Sequence, residues 1–137
     1  MAEFKHFDAV SHDGDSVKVT IVSGPVILDD SKILLDKHSG DGLWKFPGGK
    51  LIDDNSPRDN AIREVHEELG IDIEIQSEPY VVAFTRDYEG VTEYIILIHY
   101  LADYSGQIQP APEIEEWGWH DVDNLPDDCA PNIKLAV

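Results

Sequence analysis

Three glutamates in this chain have the residue type and the spacing needed to bind a divalent cation. Glu67 and Glu68 follow Glu64 by three and four residues, so on a helix all three carboxylates lie along one edge. Like charges at this spacing repel by roughly 0.2–0.5 kcal/mol per pair in an isolated helix, and a cation among them would remove that cost. A solvated acidic face is the alternative interpretation of the same pattern.

The segment that carries these glutamates is predicted to be a helix from residue 57 to residue 69. Ser56, followed by Pro57 and then by Asp59, is typical of a helix start and is close to a capping box. Gly70 stands where a helix closes through a left-handed residue. The apolar positions occupy an arc of about 100° that we expect to face the core; they are Ala61, Ile62, Val65 and Leu69.

A diglycine precedes the acidic helix and makes a metal site the better interpretation. Gly48 and Gly49 allow backbone conformations that other residues avoid, so a carbonyl oxygen can approach an ion closely. Mg²⁺ favours oxygen ligands from a few carboxylates, waters and substrate phosphates. The diglycine and the glutamates together offer such a ligand set.

The order of these residues resembles a known family motif. The chain has Gly49, five residues, Asn55, seven residues, and then Arg63-Glu64-Val65-His66-Glu67-Glu68-Leu69-Gly70-Ile71. This resembles the box of the Nudix hydrolases (MutT-like), G-x5-E-x7-R-E-U-x-E-E-x-G-U, in which U is aliphatic. Every fixed position matches except one, because Asn55 replaces the first Glu of the box. Asn keeps hydrogen bonding but loses the charge, for which Asp53 or Asp54 could compensate.

The resemblance implies both a fold and a reaction. The fold would be α+β, a Nudix-like α/β/α sandwich with a mixed β-sheet, formed by residues 1–137 as a single domain. The reaction would be hydrolysis of a phosphoanhydride bond in a nucleoside diphosphate linked to another group, with Mg²⁺ or Mn²⁺ as cofactor. A nucleoside triphosphate, a dinucleoside polyphosphate and a nucleotide sugar all remain open as substrates.

The resemblance also assigns roles to individual residues. Arg63, Glu64 and Glu67 would be catalytic, and the general base would be a box glutamate or a late carboxylate. The implied metal ligands are Gly48, Glu64, Glu67 and Glu68. The candidates for substrate binding are Lys50, Arg86, Tyr88, Glu113 and Glu116. For Glu113 and Glu116 a solvated strand edge is an equally good interpretation.

The charge balance limits the possible partners. The chain has 28 acidic residues against 10 Lys and Arg, a net charge of −18, and the cations do not cluster into a basic face. Polymeric nucleic acid is therefore a poor candidate partner. A small phosphorylated nucleotide would need metal ions to neutralise the site. Adaptation to high salt would also explain the acidity.

The rest of the composition is that of a soluble globular protein. There is no apolar run long enough to span a membrane and no signal-peptide pattern after Met1, so we expect a cytoplasmic location and no membrane partner. Cys129 is the single cysteine, which excludes an intramolecular disulfide. An isopentenyl-diphosphate isomerase, a fold relative, needs a cysteine in its active site. Cys129 lies in the tail, far from the box in the sequence, so this enzyme is disfavoured.

Strands are predicted on both sides of the helix. Residues 17–28 and 32–37 form a predicted hairpin around Asp29-Asp30-Ser31, and 43–46 form a strand that leads into the diglycine. Further strands are predicted at 71–75, 79–85, 91–100 and 113–119, and Glu89-Gly90 is typical of a hairpin turn between 79–85 and 91–100. Residues 1–15 are interpreted as a flexible end or an edge strand, and 127–137 as a short helix with core contacts or contacts in a possible homodimer.

One alternative from another class remains open. The same fold could bind a nucleotide without hydrolysing it, and Asn55 is the best support for that hypothesis. A hydrolysis assay with Mg²⁺ or Mn²⁺ would separate the two.

Overall fold

A long parallel pair of strands forms the centre of the fold. The computed structural model describes residues 6–10, 16–40, 42–52 and 54–136. Their strands are β1 His6–Val10, β2 Ser16–Asp29, β3 Lys32–His38, β4 Gly49–Lys50, β5 Asp72–Ile75, β6 Tyr80–Tyr88, β7 Val91–Ser105 and β8 Ile114–Asp121. Their helices are α1 Pro57–Leu69 and α2 Pro131–Ala136. Strand β1 lies within the predicted edge segment, of which residues 1–5 and 11–15 are outside the described residues.

The sheet is mixed, as expected. Strands β2 and β7 run parallel, from Val17↔Thr92 to Ile27↔Ala102, whereas the other named pairs are antiparallel. The strand order is β5-β7-β2-β3-β8, with β1 and β4 on β2 and with β6 on β7. The central strand β2 therefore touches several elements that are far apart in the sequence.

Each face of the sheet carries its own core. Because successive strand residues point to opposite faces, Leu34 packs toward α1 while its neighbours Ile33 and Leu35 pack away from it. The core under α1 contains Ile27, Leu34, Val65, Leu69, Ile71 and Ile114. The opposite core contains Val26, Ile33, Leu35, Trp44, Phe46, Ala130 and Ile133, the last of which belongs to α2. The architecture is thus the predicted α/β/α sandwich.

The predicted hairpins are present, but the first one diverges early. Strands β2 and β3 pair only at Leu28↔Ile33 and Asp29↔Lys32. Beyond these pairs β2 joins β7 and β3 joins β8. The second hairpin, between β6 and β7, closes through the two-residue turn Glu89-Gly90, in which both φ angles are positive (52° and 77°), as the favoured type I′ turn requires.

The predicted strand at 43–46 is reduced to isolated bridges. Lys45 bridges to Asp36 on one side, whereas Trp44 bridges to Cys129 on the other. The backbone bonds are divided between these two neighbours, with Lys45 N donating to Asp36 O at 2.8 Å and Trp44 N donating to Asp128 O at 2.8 Å. This extended segment therefore links β3 to the chain before α2 without extending the sheet.

Helix α1 has the predicted boundaries. The Asp59 N–H donates to Ser56 Oγ at 3.0 Å at the N-terminus. At the other end Gly70 adopts a φ of 70° and its N–H donates to His66 O at 3.0 Å. Among the described residues no helix is long and apolar enough to cross a membrane.

Candidate active site

Two glycines bring the acidic edge of α1 against the backbone that leads into β4. The Gly48 N–H donates to Glu68 Oε1 at 3.1 Å. A Cβ at Gly48, whose φ is 147°, would lie 2.5 Å from Ser23 O, and a Cβ at Gly49 would lie 2.5 Å from Glu64 Cδ. A larger residue at Gly49 would push the Glu64 carboxylate away, whereas one at Gly48 would collide with the backbone of β2. The diglycine is therefore required by contact as well as by conformation.

Arg63 connects two of the three glutamates. Its Nη2 donates to Glu64 Oε1 at 2.8 Å and its Nη1 donates to Glu67 Oε2 at 2.9 Å. The Glu64 side chain is mostly buried, whereas that of Glu67 is 55% exposed. These charge-assisted bonds fix the orientation of both carboxylates.

Asn60 completes this network and was not anticipated from the sequence. It is fully buried; its Nδ2 donates to Ser23 Oγ at 2.9 Å and to Gly49 O at 3.0 Å, and its Oδ1 accepts from Arg63 Nη2 at 2.7 Å. One side chain thus ties α1 to β2 and to the diglycine. An amide one turn before Glu64 on the buried side of the helix was the available signal.

The third glutamate is buried beside a histidine. Glu68 is 2% exposed, and its Oε2 lies 3.0 Å from His38 Nε2. Burial raises the pKa of Glu68, although His38 and the Gly48 N–H act against this. The hydrogen bond with Glu68 in turn raises the pKa of His38. Strand β3 therefore supplies a hydrogen-bonding partner to a residue that the sequence placed on an open edge.

A buried carboxylate lies next to this pair. Asp36 is 0% exposed, and within the described part of the chain neither of its carboxylate oxygens has a hydrogen-bond partner. Its Oδ1 is 3.6 Å from His38 Nε2. Burial, followed by the neighbouring Glu68 carboxylate, raises the pKa of Asp36 to about 8. The available signal in the sequence was an acidic residue that directly continues the apolar run Ile33-Leu34-Leu35.

The donor atoms suit a hard divalent cation. Glu64 and Glu68 contact the diglycine, and Arg63 joins Glu67 to Glu64. Carboxylate and carbonyl oxygens are the ligands that Mg²⁺ and Mn²⁺ prefer. The implied ligand set of Gly48, Glu64, Glu67 and Glu68 therefore fits the ion chemically.

A cavity of about 380 Å³ begins next to the diglycine. Pro47 lines it, and the next residue, Gly48, bonds to Glu68. The other lining residues are Val22, Gly24, Leu43, Lys45, Phe46, Phe84, Arg86, Ile95, Leu97, His99, Ala130, Pro131 and Asn132. The walls are thus largely apolar, with two cationic side chains and a small number of buried polar groups.

The polar groups of the cavity are held in place by neighbours. Asn132 Nδ2 lies 3.0 Å from His99 Nε2, and both residues are buried. Burial lowers the pKa of His99 to about 4, so the imidazole is neutral near neutral pH. Arg86 Nε donates to Glu93 Oε1 at 2.6 Å. The cavity therefore presents neutral hydrogen-bonding groups deep inside and a paired arginine on β6.

The remaining candidates from the sequence are dispersed. Lys50 is in β4, and Tyr88 ends β6 opposite Val91. Glu116 lies 3.7 Å from Lys37 Nζ, and because cross-strand partners share a face, it points away from α1. Glu113 is exposed just before β8, and its carbonyl accepts from the Ser39 N–H at 3.0 Å. Neither late carboxylate has a described bond to the box residues. Asp53 lies outside the described residues.

The fold is an α/β/α sandwich, and its first helix carries the residues of the box motif. The chain belongs to the Nudix family, because the NUDIX domain model matches residues 18–136. This match covers both helices and β3 to β8.

Individual relatives agree with this assignment. The chain is 34% identical to the uncharacterized Nudix hydrolase YvcI of Bacillus subtilis over 106 residues, which are 76% of this chain and 67% of that protein. It is 35% identical to the CTP pyrophosphohydrolase of Escherichia coli over 99 residues, 68% of this chain and 70% of that protein. Among solved structures, a MutT Nudix hydrolase from Burkholderia pseudomallei superposes with a TM-score of 0.73 at 28% identity, covering 86% of this chain and 95% of that one.

Proposed function

We propose that this Nudix hydrolase is a divalent-metal-dependent pyrophosphohydrolase of nucleoside triphosphates. The observation that carries the proposal is the junction at Pro47-Gly48. Pro47 lines the cavity, and Gly48 donates to the box residue Glu68. A nucleoside in the cavity would therefore place its phosphates toward the carboxylates.

The size and lining of the cavity support a single nucleoside as the occupant. Its apolar walls include the aromatic rings of Phe46 and Phe84, and His99 and Asn132 are its buried polar groups. Binding pockets for small molecules typically combine apolar walls with a few fixed polar groups. The chain is 35% identical to a CTP pyrophosphohydrolase over 70% of that protein, which is consistent with a nucleoside triphosphate as the substrate.

The charge of the chain supports the need for a cation. With a net charge of −18, the protein would repel a triphosphate unless metal ions were bound near the phosphates. Gly48, Glu64, Glu67 and Glu68 would hold the ion, whose chemistry is to stabilise the charge on the phosphoryl oxygens and to activate water. Arg63 would keep Glu64 and Glu67 oriented, and Arg86 would attract the phosphates at the cavity.

A nucleotide-binding module without hydrolysis is the second candidate. Asn55 in place of the box glutamate favours it, as does Arg63 Nε, which is buried and has no hydrogen-bond partner in the described segments. A box arginine that is incompletely supported would hold the catalytic carboxylates less firmly. A binding module would use the same cavity and the same metal ligands as the hydrolase but would not turn over the nucleotide.

The test is a substrate panel with product analysis. CTP, the other nucleoside triphosphates, a dinucleoside polyphosphate and ADP-ribose would be incubated with Mg²⁺ or Mn²⁺. We expect nucleoside monophosphate and pyrophosphate from one or more triphosphates, and loss of turnover in Glu67→Gln. The matched control is His66→Gln, which alters an exposed neighbour on α1 whose partner is Asp72. Binding without turnover would favour the binding module, and preference for ADP-ribose or a dinucleotide would overturn the substrate class.

A further inference from the structure

Three potential metal ligands meet on the buried side of Glu68, away from the exposed edge of α1. Alternation along β3 directs Leu34, Asp36 and His38 toward α1, while Lys37 points to the opposite face and binds Asp128. One ligand atom from each of Asp36, His38 and Glu68 lies within 4.8 Å of the others. Two adjacent elements thus supply two carboxylates and one imidazole at a single point.

The buried carboxylate of Asp36 is the independent sign that this cluster has a ligand. Asp36 is completely buried, and across the described residues both of its oxygens lack a hydrogen-bond partner. Buried polar groups are almost always paired, and one that is left unpaired is costly. His38 Nε2, at 3.6 Å from Oδ1, is too distant for a hydrogen bond and is already bonded to Glu68 at 3.0 Å. A cation between the three groups would satisfy Asp36 directly.

We propose that Asp36, His38 and Glu68 form a second cation site that selects first-row transition ions such as Mn²⁺, Co²⁺ or Zn²⁺ over Mg²⁺. The selectivity follows from the imidazole, because Mg²⁺ strongly favours oxygen ligands whereas these ions also accept nitrogen. The inference rests on the proposed function only in that Glu68 is shared with the box ligands. An ion here would also fix Glu68 for its contact with Gly48.

The experiment measures ion binding directly, with no substrate present. Co²⁺ would be titrated into the metal-free protein while its visible d–d absorption is recorded, and Mg²⁺ would be added as competitor. The variants are Asp36→Asn and His38→Gln. The control is Asp103→Asn, which makes the same Asp-to-Asn substitution at an exposed residue of β7 that is paired with Glu74. Circular dichroism would establish that each variant is folded.

The expected result is a Co²⁺ signal that resists a large excess of Mg²⁺ and weakens in both variants. Loss of a partner that only orients a metal ligand costs about 10–100-fold in affinity, so loss of a ligand should cost at least that much. Unchanged Co²⁺ affinity in both variants would overturn the second site, and so would complete competition by Mg²⁺. If Asp36→Asn does not fold, His38→Gln decides alone, since the His38 side chain is partly exposed. Because turnover is not measured, failure here leaves the proposed function to its own test.

Discussion

Asn60 accepts a hydrogen bond of 2.7 Å from Arg63 Nη2 while its own amide donates to Gly49 O at 3.0 Å. The same guanidinium orients Glu64 and Glu67. The positions of the two carboxylates therefore depend on a buried amide that also holds the diglycine strand. A change at this side chain should therefore affect both the stability of the fold and the proposed active site.

Replacing Asn60 by Asp should reduce both stability and activity. Asp has nearly the same shape but cannot donate to Ser23 Oγ or Gly49 O, and a buried acceptor left unpaired costs about 1–3 kcal/mol. We expect the free energy of unfolding to fall by about 2 kcal/mol in urea denaturation. The His66→Gln control should remain at the wild-type value. An Asn60→Asp variant as stable as wild type would show that the amide network adds nothing.

Asn55→Glu tests whether the altered box position weakens the site. Arg63 Nε is buried and, as far as the chain is described, without a partner, so a carboxylate introduced at residue 55 could supply one. We expect tighter Mn²⁺ binding, a higher turnover rate, or both, measured by metal titration and steady-state kinetics. A fall of about tenfold or more in activity would instead indicate that the site is built around the amide.

The stability of the protein should fall in acid partly because of His99. Its pKa is lowered by burial to about 4 in the folded chain, against 6.5 when unfolded. The unfolded state therefore takes up a proton at a higher pH than the folded state, and stability is lost as the pH falls from about 6.5 to about 4. A shift of this size corresponds to about 3 kcal/mol. As the pH is lowered from about 6.5 to about 4, the free energy of unfolding of His99→Gln should therefore fall by about 3 kcal/mol less than that of wild type. Equal losses in the two proteins would contradict the lowered pKa of His99.

Divalent cation should stabilise the folded protein. Binding to the folded state alone adds RT ln(1 + [L]/Kd), about 2.7 kcal/mol at 100-fold saturation. We expect melting temperatures to rise with Mg²⁺ or Mn²⁺ relative to chelator. The rise should be smaller in Glu64→Gln, because Glu64 is a mostly buried member of the proposed ligand set. Identical melting curves with metal and with chelator would argue against the ligand set.

Much of the fold could be predicted because local signals were strong. Ser56, Pro57 and Gly70 set the ends of α1, and Glu89-Gly90 marked the β6–β7 hairpin. The parallel pairing of β2 with β7 could not be predicted, because its partners are far apart in the sequence and no turn fixes their register. The segment at 43–46 was predicted to be a strand but forms isolated bridges, since an extended pattern does not reveal that its backbone hydrogen bonds go to two different neighbours.

Only part of the candidate site could be predicted from the sequence. The spacing of the box glutamates placed Glu64, Glu67 and Glu68 on one helix edge, but it gave no sign that Glu68 would be buried against β3. Asp36 and His38 come from a strand about 30 residues earlier, and only the tertiary fold brings them to the helix. Asn60 was missed because a polar residue beside an apolar stripe is usually an exposed flank.

The most direct test of the account is the turnover of Glu67→Gln with saturating metal. The side chain is 55% exposed and its described partner is Arg63 on the same helix, so the fold should tolerate the change. If Glu67 binds the ion, the amide is a poorer ligand for a hard cation, and turnover should fall by about a hundredfold or more, with each ~1.4 kcal/mol of lost stabilisation worth tenfold. The variant should melt in chelator at the wild-type temperature or above it. Turnover close to wild type would contradict the metal site and return this edge of α1 to a solvated acidic face.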